Sequence, residues 1–473
     1  MTKLLRPDIC VIGAGSGGLL TAAGASQLGA DTVLIEAHRM GGDCLNYGCV
    51  PSKALLAAAH AAVAYRRAPA FGIEAAPPRI DFAKVRAHVQ GVISAIAPND
   101  SEERFAGLGV KVIREQARFT GPEEVLAGDF RIRARRFVVA TGSRPAIPPL
   151  PGLAELPYLT NETIFDLESL PDHLLVLGGG PIGCELAQAF RRLGARVSLV
   201  DMQELLPRDD PEPADVVRQS LLDDGVEIYE RHRVVGASGS GTRLALDMEK
   251  DGARIRLEGS HLLVAAGRRA TVEGLGLEAA GIDHTAVGIR VDEHLRTSNR
   301  RVYAVGDVAG GPQFTHVAAY HAGVVIRNAL FRLPAKVRYD ALPWVTYTDP
   351  ELAHVGLSEK DARARGPIRL LRWPYAENDR AQAEHRGRGF IKVVTTPRGR
   401  ILGADIVGHA AGEMIHVWTL AVSQKLKIGA VAGMIAPYPT LAEIGKRAAG
   451  NFFAPKLFSE RTRRLVRFLA RFG

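Results

Sequence analysis

At 473 residues the chain is too long for one hydrophobic core, so two to four domains are expected, with room to bury a large prosthetic group. Hydrophobic residues make up 47%, charged residues 23%, and there are 50 glycines, which fits a globular protein rich in tight turns and excludes a disordered chain. The net charge of +9 is concentrated in residues 456–473, where six basic residues face one acid; no zinc-knuckle spacing or interleaved aromatic and basic stripe accompanies it, so no nucleic-acid partner is expected.

No stretch reaches the ~20 apolar residues of a membrane span, and the N-terminus lacks a signal-like apolar run, so a cytoplasmic location is expected. Four cysteines in so long a chain do not make a disulfide scaffold. In a reducing compartment a bridge between two of them would serve catalysis.

In chain order, the first element is an apolar strand, Asp8-Ile-Cys-Val-Ile, running into Gly13-Ala-Gly15-Ser-Gly-Gly18. An alanine-rich helix and a second strand ending at Glu36 follow. The pattern returns at Leu174-Leu-Val-Leu-Gly178-Gly-Gly180-Pro-Ile-Gly183, with a helix through Arg192 and a strand ending at Asp201. The same 23 residues separate Gly13 from Glu36 and Gly178 from Asp201. One G-x-G-x-x-G is a common packing device; two, with matching strands, helices and acids, specify two dinucleotide sites. The first glycine makes the turn, the second admits a pyrophosphate to the helix N-terminus, the third lets helix and strand pack, and the acid accepts from ribose hydroxyls. Thr141 and Gly142 close the first unit as Gly267 closes the second, and with Gly42 they are taken as further cofactor-facing positions.

Between the copies lie a helical region from Ala54 to about Ala106, strand-like segments, and a proline-rich stretch, Pro145 to Pro157, that reads as a boundary. Val302 to Asp307 reads as a return to the first unit. From about Ala341 the pattern changes to strands and two helices. The expected architecture is α/β, two Rossmann-like units plus an α+β C-terminal unit: 1–153 and 272–338 for the first dinucleotide, 154–271 for the second, 339–455 an interface domain, and 456–473 a basic amphipathic tail.

Gly41-Gly42-Asp-Cys44-Leu-Asn-Tyr-Gly48-Cys49-Val-Pro51-Ser-Lys53 is the candidate redox segment. Residues five apart in a regular helix are about 7.5 Å apart along its axis. A disulfide tolerates roughly 4.4–6.8 Å between Cα atoms, so the helix must be interrupted. Gly48 permits the necessary backbone, and Pro51 lacks the N–H that would bond the Tyr47 carbonyl. Lys53, one turn beyond Cys49, would favour its thiolate. Cys10, in an apolar strand, and Cys184, at a helix start, read as packing residues.

This segment resembles the active-site stretch of the pyridine nucleotide-disulfide oxidoreductases, among them dihydrolipoamide dehydrogenase, glutathione reductase and mercuric reductase, and the resemblance covers nearly the whole chain. It implies FAD on the first unit, NAD(H) on the second, and a homodimer. It also implies Cys44 as the thiol that exchanges with substrate and Cys49 as the one facing flavin. Lys53 would pair with Glu185 near the ring, Asp307 would bond the ribityl chain and Glu36 the FAD ribose. Asp201 would repel a 2′-phosphate, making NADPH the poorer cofactor, although Arg196 and Arg208 are near in sequence.

Relatives of the lipoamide and glutathione type carry His-Pro-Thr-x-x-Glu near the C-terminus; here the stretch is Tyr438-Pro-Thr-Leu-Ala-Glu443. A phenol, with a pKa of ~10, is a poor base at neutral pH, which leaves Glu443 without the imidazole it would orient. Mercuric reductases also carry tyrosine there but deliver metal with a cysteine pair that residues 456–473 lack. None of His316, His321, His409 and His416 is assigned the proton shuttle, and no resident metal site is expected.

The expected activity is electron transfer between NAD(H) and a small or protein-borne thiol/disulfide substrate, like dihydrolipoamide dehydrogenase. The alternatives are a metal reductase and a redox-gated FAD- and NADH-binding protein acting on a partner or membrane. For the tail, Leu465, Phe468, Leu469 and Phe472 recur at helical spacing beside Arg464, Arg467 and Arg471. This stripe either packs on the interface domain or makes a peripheral contact with the inner face of a membrane.

Overall fold

The computed structural model describes residues 3–472. Its centre is a five-stranded parallel sheet in the order Val302–Ala304, Arg136–Val139, Ile9–Ile12, Thr32–Ile35, Lys111–Ile113. Ile9–Ile12 is buried along its whole length, as a parallel strand covered on both faces must be, and so it reads as an unbroken apolar run. The strand 302–304 joins this sheet from far along the chain. A second sheet, Lys3–Leu5, Phe130–Ile132, Glu124–Ala127 and Ala117–Gly121, packs beside it around Phe119 and Phe137, whose rings meet edge to face.

The second glycine motif lies on its own four-stranded parallel sheet: Glu227–Tyr229, Arg196–Val200, His173–Leu177, His261–Val264. A three-stranded antiparallel sheet over 233–259 covers it. The two units meet through a short antiparallel pair, Ser143–Pro145 with Arg268–Ala270. The proline-rich stretch after Pro145 is no loose linker, since Leu153 and Leu156 pack with Leu175 and Leu246 in the second unit's core.

Residues 343–408 form a five-stranded antiparallel sheet, ordered Pro343–Thr346, Glu351–Gly356, Ile401–Gly408, Phe390–Thr395, Arg369–Pro374. Helices Ala411–Ser423 and Glu443–Gly450 cover it with Trp418, Ile415 and Ile444, each at most 2% exposed. Burying each such side chain contributes about 1.5–3 kcal/mol. Two helices are too few for 339–455: 359–364, 379–383 and 428–432 are helical as well, too short to show a period in the sequence, while the tail forms the helix expected of it, Glu460–Leu469.

The tail helix, Glu460–Leu469, buries none of its residues. The expectation that its apolar stripe packs on this chain's own interface domain is therefore corrected. Its Ser459 cap and the Glu460 pairs with Arg464 and Arg467 satisfy it locally, without a tertiary partner.

Candidate functional site

Both glycine loops adopt one geometry. Gly13 and Gly178 have φ of 106° and 118°, where L side chains are strained. A Cβ on Gly18 or Gly183 would come within 1.8 Å of the Gly13 or Gly178 carbonyl oxygen, so these two let helix and strand close up. At Gly15, by contrast, a Cβ would meet only the Gly42 Cα at 3.9 Å, and at Gly180 nothing within 4 Å. The acids repeat the correspondence. Ala14 N–H donates to Glu36 Oε2 and Gly179 N–H to Asp201 Oδ2, both at 2.6 Å. The other oxygens accept from His38 and Gln203 N–H groups, also at 2.6 Å.

The two loops open into one cavity of about 2510 Å³, which also reaches Glu36, Gly42, Thr141, Gly142, Asp201, Gly267 and Asp307. A pyrophosphate fits against Gly15 and Gly180, where no Cβ intrudes and the helix N-termini present free N–H groups. The residues present thus suit two dinucleotides. Asp307 accepts from the Ser143 hydroxyl, and burial raises its carboxyl above the usual range.

The cysteines sit between the loops. Helix Gly42–Asn46 stops, Tyr47 and Gly48 (φ −123°, ψ −111°) turn the chain, and Cys49 starts helix Cys49–Val63. The interruption demanded by the cysteine spacing is present. The Tyr47 carbonyl, deprived of a helical donor by Pro51, accepts from Asn161 Nδ2 at 3.2 Å. Both cysteines are free thiols, Cys44 half-buried and Cys49 open to the cavity. Cys44 donates to Cys49, which brings the Cys49 pKa down to about 6; the Thr315 hydroxyl at 3.3 Å and the Lys53 ammonium act the same way against burial. The same bond and burial push the Cys44 thiol up. Negative charge on the pair is therefore favoured on Cys49 over Cys44.

Lys53 Nζ bonds Glu185 Oε2 at 2.8 Å and lies 4.3 Å from the centre of the Tyr347 ring. Glu185 is buried and accepts the Tyr347 N–H at 2.9 Å, so this pair bridges the redox helix, the second glycine helix and the C-terminal sheet. It is no ordinary surface pair.

Tyr438 and Glu443 are not brought to this cavity. Tyr438 is 67% exposed, and its hydroxyl donates to Asp379 Oδ2 at 2.9 Å, which raises its pKa further. Glu443 opens helix Glu443–Gly450 on the C-terminal unit. Cys10 and Cys184 are fully buried and their thiols pushed up by burial, as packing residues should be. His321, held between the Gly306 N–H and the Tyr339 hydroxyl, is lowered by burial to about 4. His316 lines the cavity, with Nε2 on the Pro343 carbonyl at 2.9 Å.

Four contributors were missed in the sequence. Thr315 is at the Cys49 sulfur and Tyr347 under Lys53. Asn161 holds Asp43 and Tyr47, and Arg268 links Ser143 to Asp43 (Nη2 to Oδ1, 3.2 Å). Thr315, beside His316, and Arg268, beside Gly267, had a local signal; Tyr347 and Asn161 come to the site only through tertiary folding.

Two family models match the chain: pyridine nucleotide-disulphide oxidoreductase over residues 7–322, and the dimerisation domain of the same family over 342–449. The chain is 37% identical to a mercuric reductase of Streptomyces lividans, over 94% of this chain and 96% of that one. It is 36% identical to a dihydrolipoyl dehydrogenase of Thermus scotoductus, over 92% and 95%. A Cu(II) complex of the HOCl-induced flavoprotein disulfide reductase RclA from Escherichia coli superposes with a TM-score of 0.85 at 26% identity, covering 94% of this chain and 99% of that one. With both glycine loops, the cysteine pair and these matches in agreement, the chain belongs to the pyridine nucleotide-disulphide oxidoreductases, a family of FAD-dependent oxidoreductases that use NAD(P)H.

Proposed function

We propose that the chain passes two electrons from NADH to a small or protein-borne disulfide through Cys44 and Cys49, and that it works as a homodimer in the cytoplasm. The observation that carries this reading is the cysteine pair itself, opening with both glycine loops into one cavity and backed by the Lys53–Glu185 ion pair. In balance, NADH, a proton and a disulfide give NAD⁺ and two thiols. Bound FAD supplies the passage of the electron pair between nicotinamide and the cysteines.

The protein's own residues then act in order. In the reduced pair, Cys44 attacks a substrate sulfur and the substrate disulfide breaks, releasing the first thiol. Cys49 attacks the Cys44 sulfur of the resulting mixed disulfide, releasing the second thiol and closing the Cys44–Cys49 bond. Lys53 and Thr315 stabilise the Cys49 thiolate until that step. Cys44 must first lose its proton, and among the described residues no imidazole is hydrogen-bonded to it; His316, in the same cavity, is engaged with the Pro343 carbonyl. In the homodimer the Tyr438 loop, with Glu443 behind it, would face the second copy's cysteines, a poor base for this exchange.

That weakness favours one second reading, a soft-metal reductase. A metal held by two thiolates needs no imidazole shuttle, one relative is a mercuric reductase, and a similar structure holds Cu(II). A steady-state screen with lipoamide, glutathione disulfide, Hg(II) and Cu(II) decides between them. Disulfide turnover supports the proposal; turnover of metal alone replaces it with the second reading. Asp201 lines the cavity and would meet the ribose with its carboxylate, so NADH should give a higher kcat/KM than NADPH, and the reverse order would refute this assignment.

A further inference from the structure

The segment that the reaction does not use is the helix Glu460–Leu469. Its Leu465, Phe468 and Leu469 side chains, with Phe472 just beyond its end, are between 53% and 74% exposed, and Phe458, just before it, is 66% exposed. Soluble surfaces carry single exposed apolar residues without consequence, but a contiguous set on one helical side marks a contact. Phe468 and Phe472 already lie edge to face, 5.2 Å apart, and hold that side as one surface. Arg463 and Arg467 take the opposite arc, Arg464 and Arg471 flank the apolar side, Arg461 sits on it at the helix start, and only Glu460 offsets them.

We propose that this helix is a docking element for an anionic lipid surface, lying flat in the headgroup layer with its apolar side inserted and its arginines on phosphates. Ten helical residues span about 15 Å, enough for nearly three turns in the plane of the interface. The sector geometry suits that placement, since the long arginine side chains can reach up to the phosphates while Phe468 and Leu469 enter the acyl boundary.

Charge complementarity selects lipid over a second copy. Two tails, each with six basic residues against one acid over 456–473, repel across a two-fold axis. The match to the family's dimerisation domain ends at residue 449, before the tail begins. No helix among the described residues is long and apolar enough to cross a membrane, so the contact is peripheral. The inference is independent of the substrate. Its consequence is that the reductase works close to a membrane surface.

The test is flotation of the full-length FAD-loaded protein with phosphatidylcholine vesicles, with and without phosphatidylglycerol, at low and high salt. The expected result is binding to the anionic vesicles alone, weakened at least about tenfold by high salt. A chain ending at Pro455 and the variant Phe468→Glu should each lose at least about tenfold in binding. FAD content and NADH reduction should be unchanged in both, which excludes misfolding. Arg464→Gln with Arg467→Gln should weaken binding and flatten its salt dependence. The proposal is overturned if the full-length protein fails to float at low salt, or if Phe468→Glu floats as well as wild type. It is also overturned if the chain ending at Pro455 has a different oligomeric state by light scattering, which would make the tail an interface between copies.

Discussion

The cysteine side of the site and the Tyr438 side are built in opposite ways. Around Cys49 every polar neighbour converges within one chain: Cys44, Thr315 and Lys53, with Glu185 and Tyr347 behind. Around Tyr438 there is solvent, the hydroxyl's partner Asp379 and, farther off, Glu443 and Arg447, although Pro437 to Glu443 is the stretch that proton transfer would need on the proposed reading. One chain thus gathers the groups that favour a thiolate at Cys49 and leaves Tyr438 outside the cavity; on that reading, proton transfer falls to another copy or to a substrate that carries no proton.

Lys53→Met breaks the cysteine side most severely. It removes a charge-assisted bond and leaves Glu185 buried with only the Tyr347 N–H. Such a bond is worth about 1.5–3 kcal/mol, so reduction of the cysteine pair by NADH should slow by about 10²-fold in stopped flow. An unchanged rate would mean that the pair is structural.

Thr315→Val sharpens the same side with a smaller effect. Because Cys49 titrates below the usual thiol range, its reactivity is present above about pH 6 and lost as pH falls through that value. Removing the hydroxyl should move this midpoint up by roughly one unit, and Thr315→Ser should restore it. The measurement is the pH dependence of Cys49 alkylation in the reduced protein, with the modified cysteine located by peptide fragmentation so that Cys44 is scored separately. No movement of the midpoint would remove Thr315 from the account.

Tyr438→His probes the incomplete side and should have the smallest effect, a gain of roughly threefold to tenfold with dihydrolipoamide near neutral pH, with Glu443 placed to orient the ring. If activity is unchanged while FAD content holds, another group already carries the proton.

Much of this was legible because it is written locally. Glycine, strand and acid recur in the chain at fixed spacing, and the Gly13 and Gly178 loops consequently share both backbone angles and carboxylate bonds. The break before Cys49 follows from the reach of a disulfide and from Pro51. What was not legible depends on long-range approach. Asn161 takes the Tyr47 carbonyl from 114 residues away and Tyr347 meets Glu185 across 162. Neither leaves a local trace. The tail was legible as an amphipathic helix but not in its fate, because periodicity gives a helix its two sides and says nothing about what covers them.

The account rests on Cys44 and Cys49 acting as exchanging and retained thiols, and Cys44→Ser tests it most directly. Scanned for long-wavelength absorbance with its flavin oxidised and no NADH added, this variant should show the band of a Cys49 thiolate beside the flavin, with disulfide turnover abolished. Full turnover in Cys44→Ser, or loss of turnover without that band in a folded, FAD-loaded protein, would contradict the assignment.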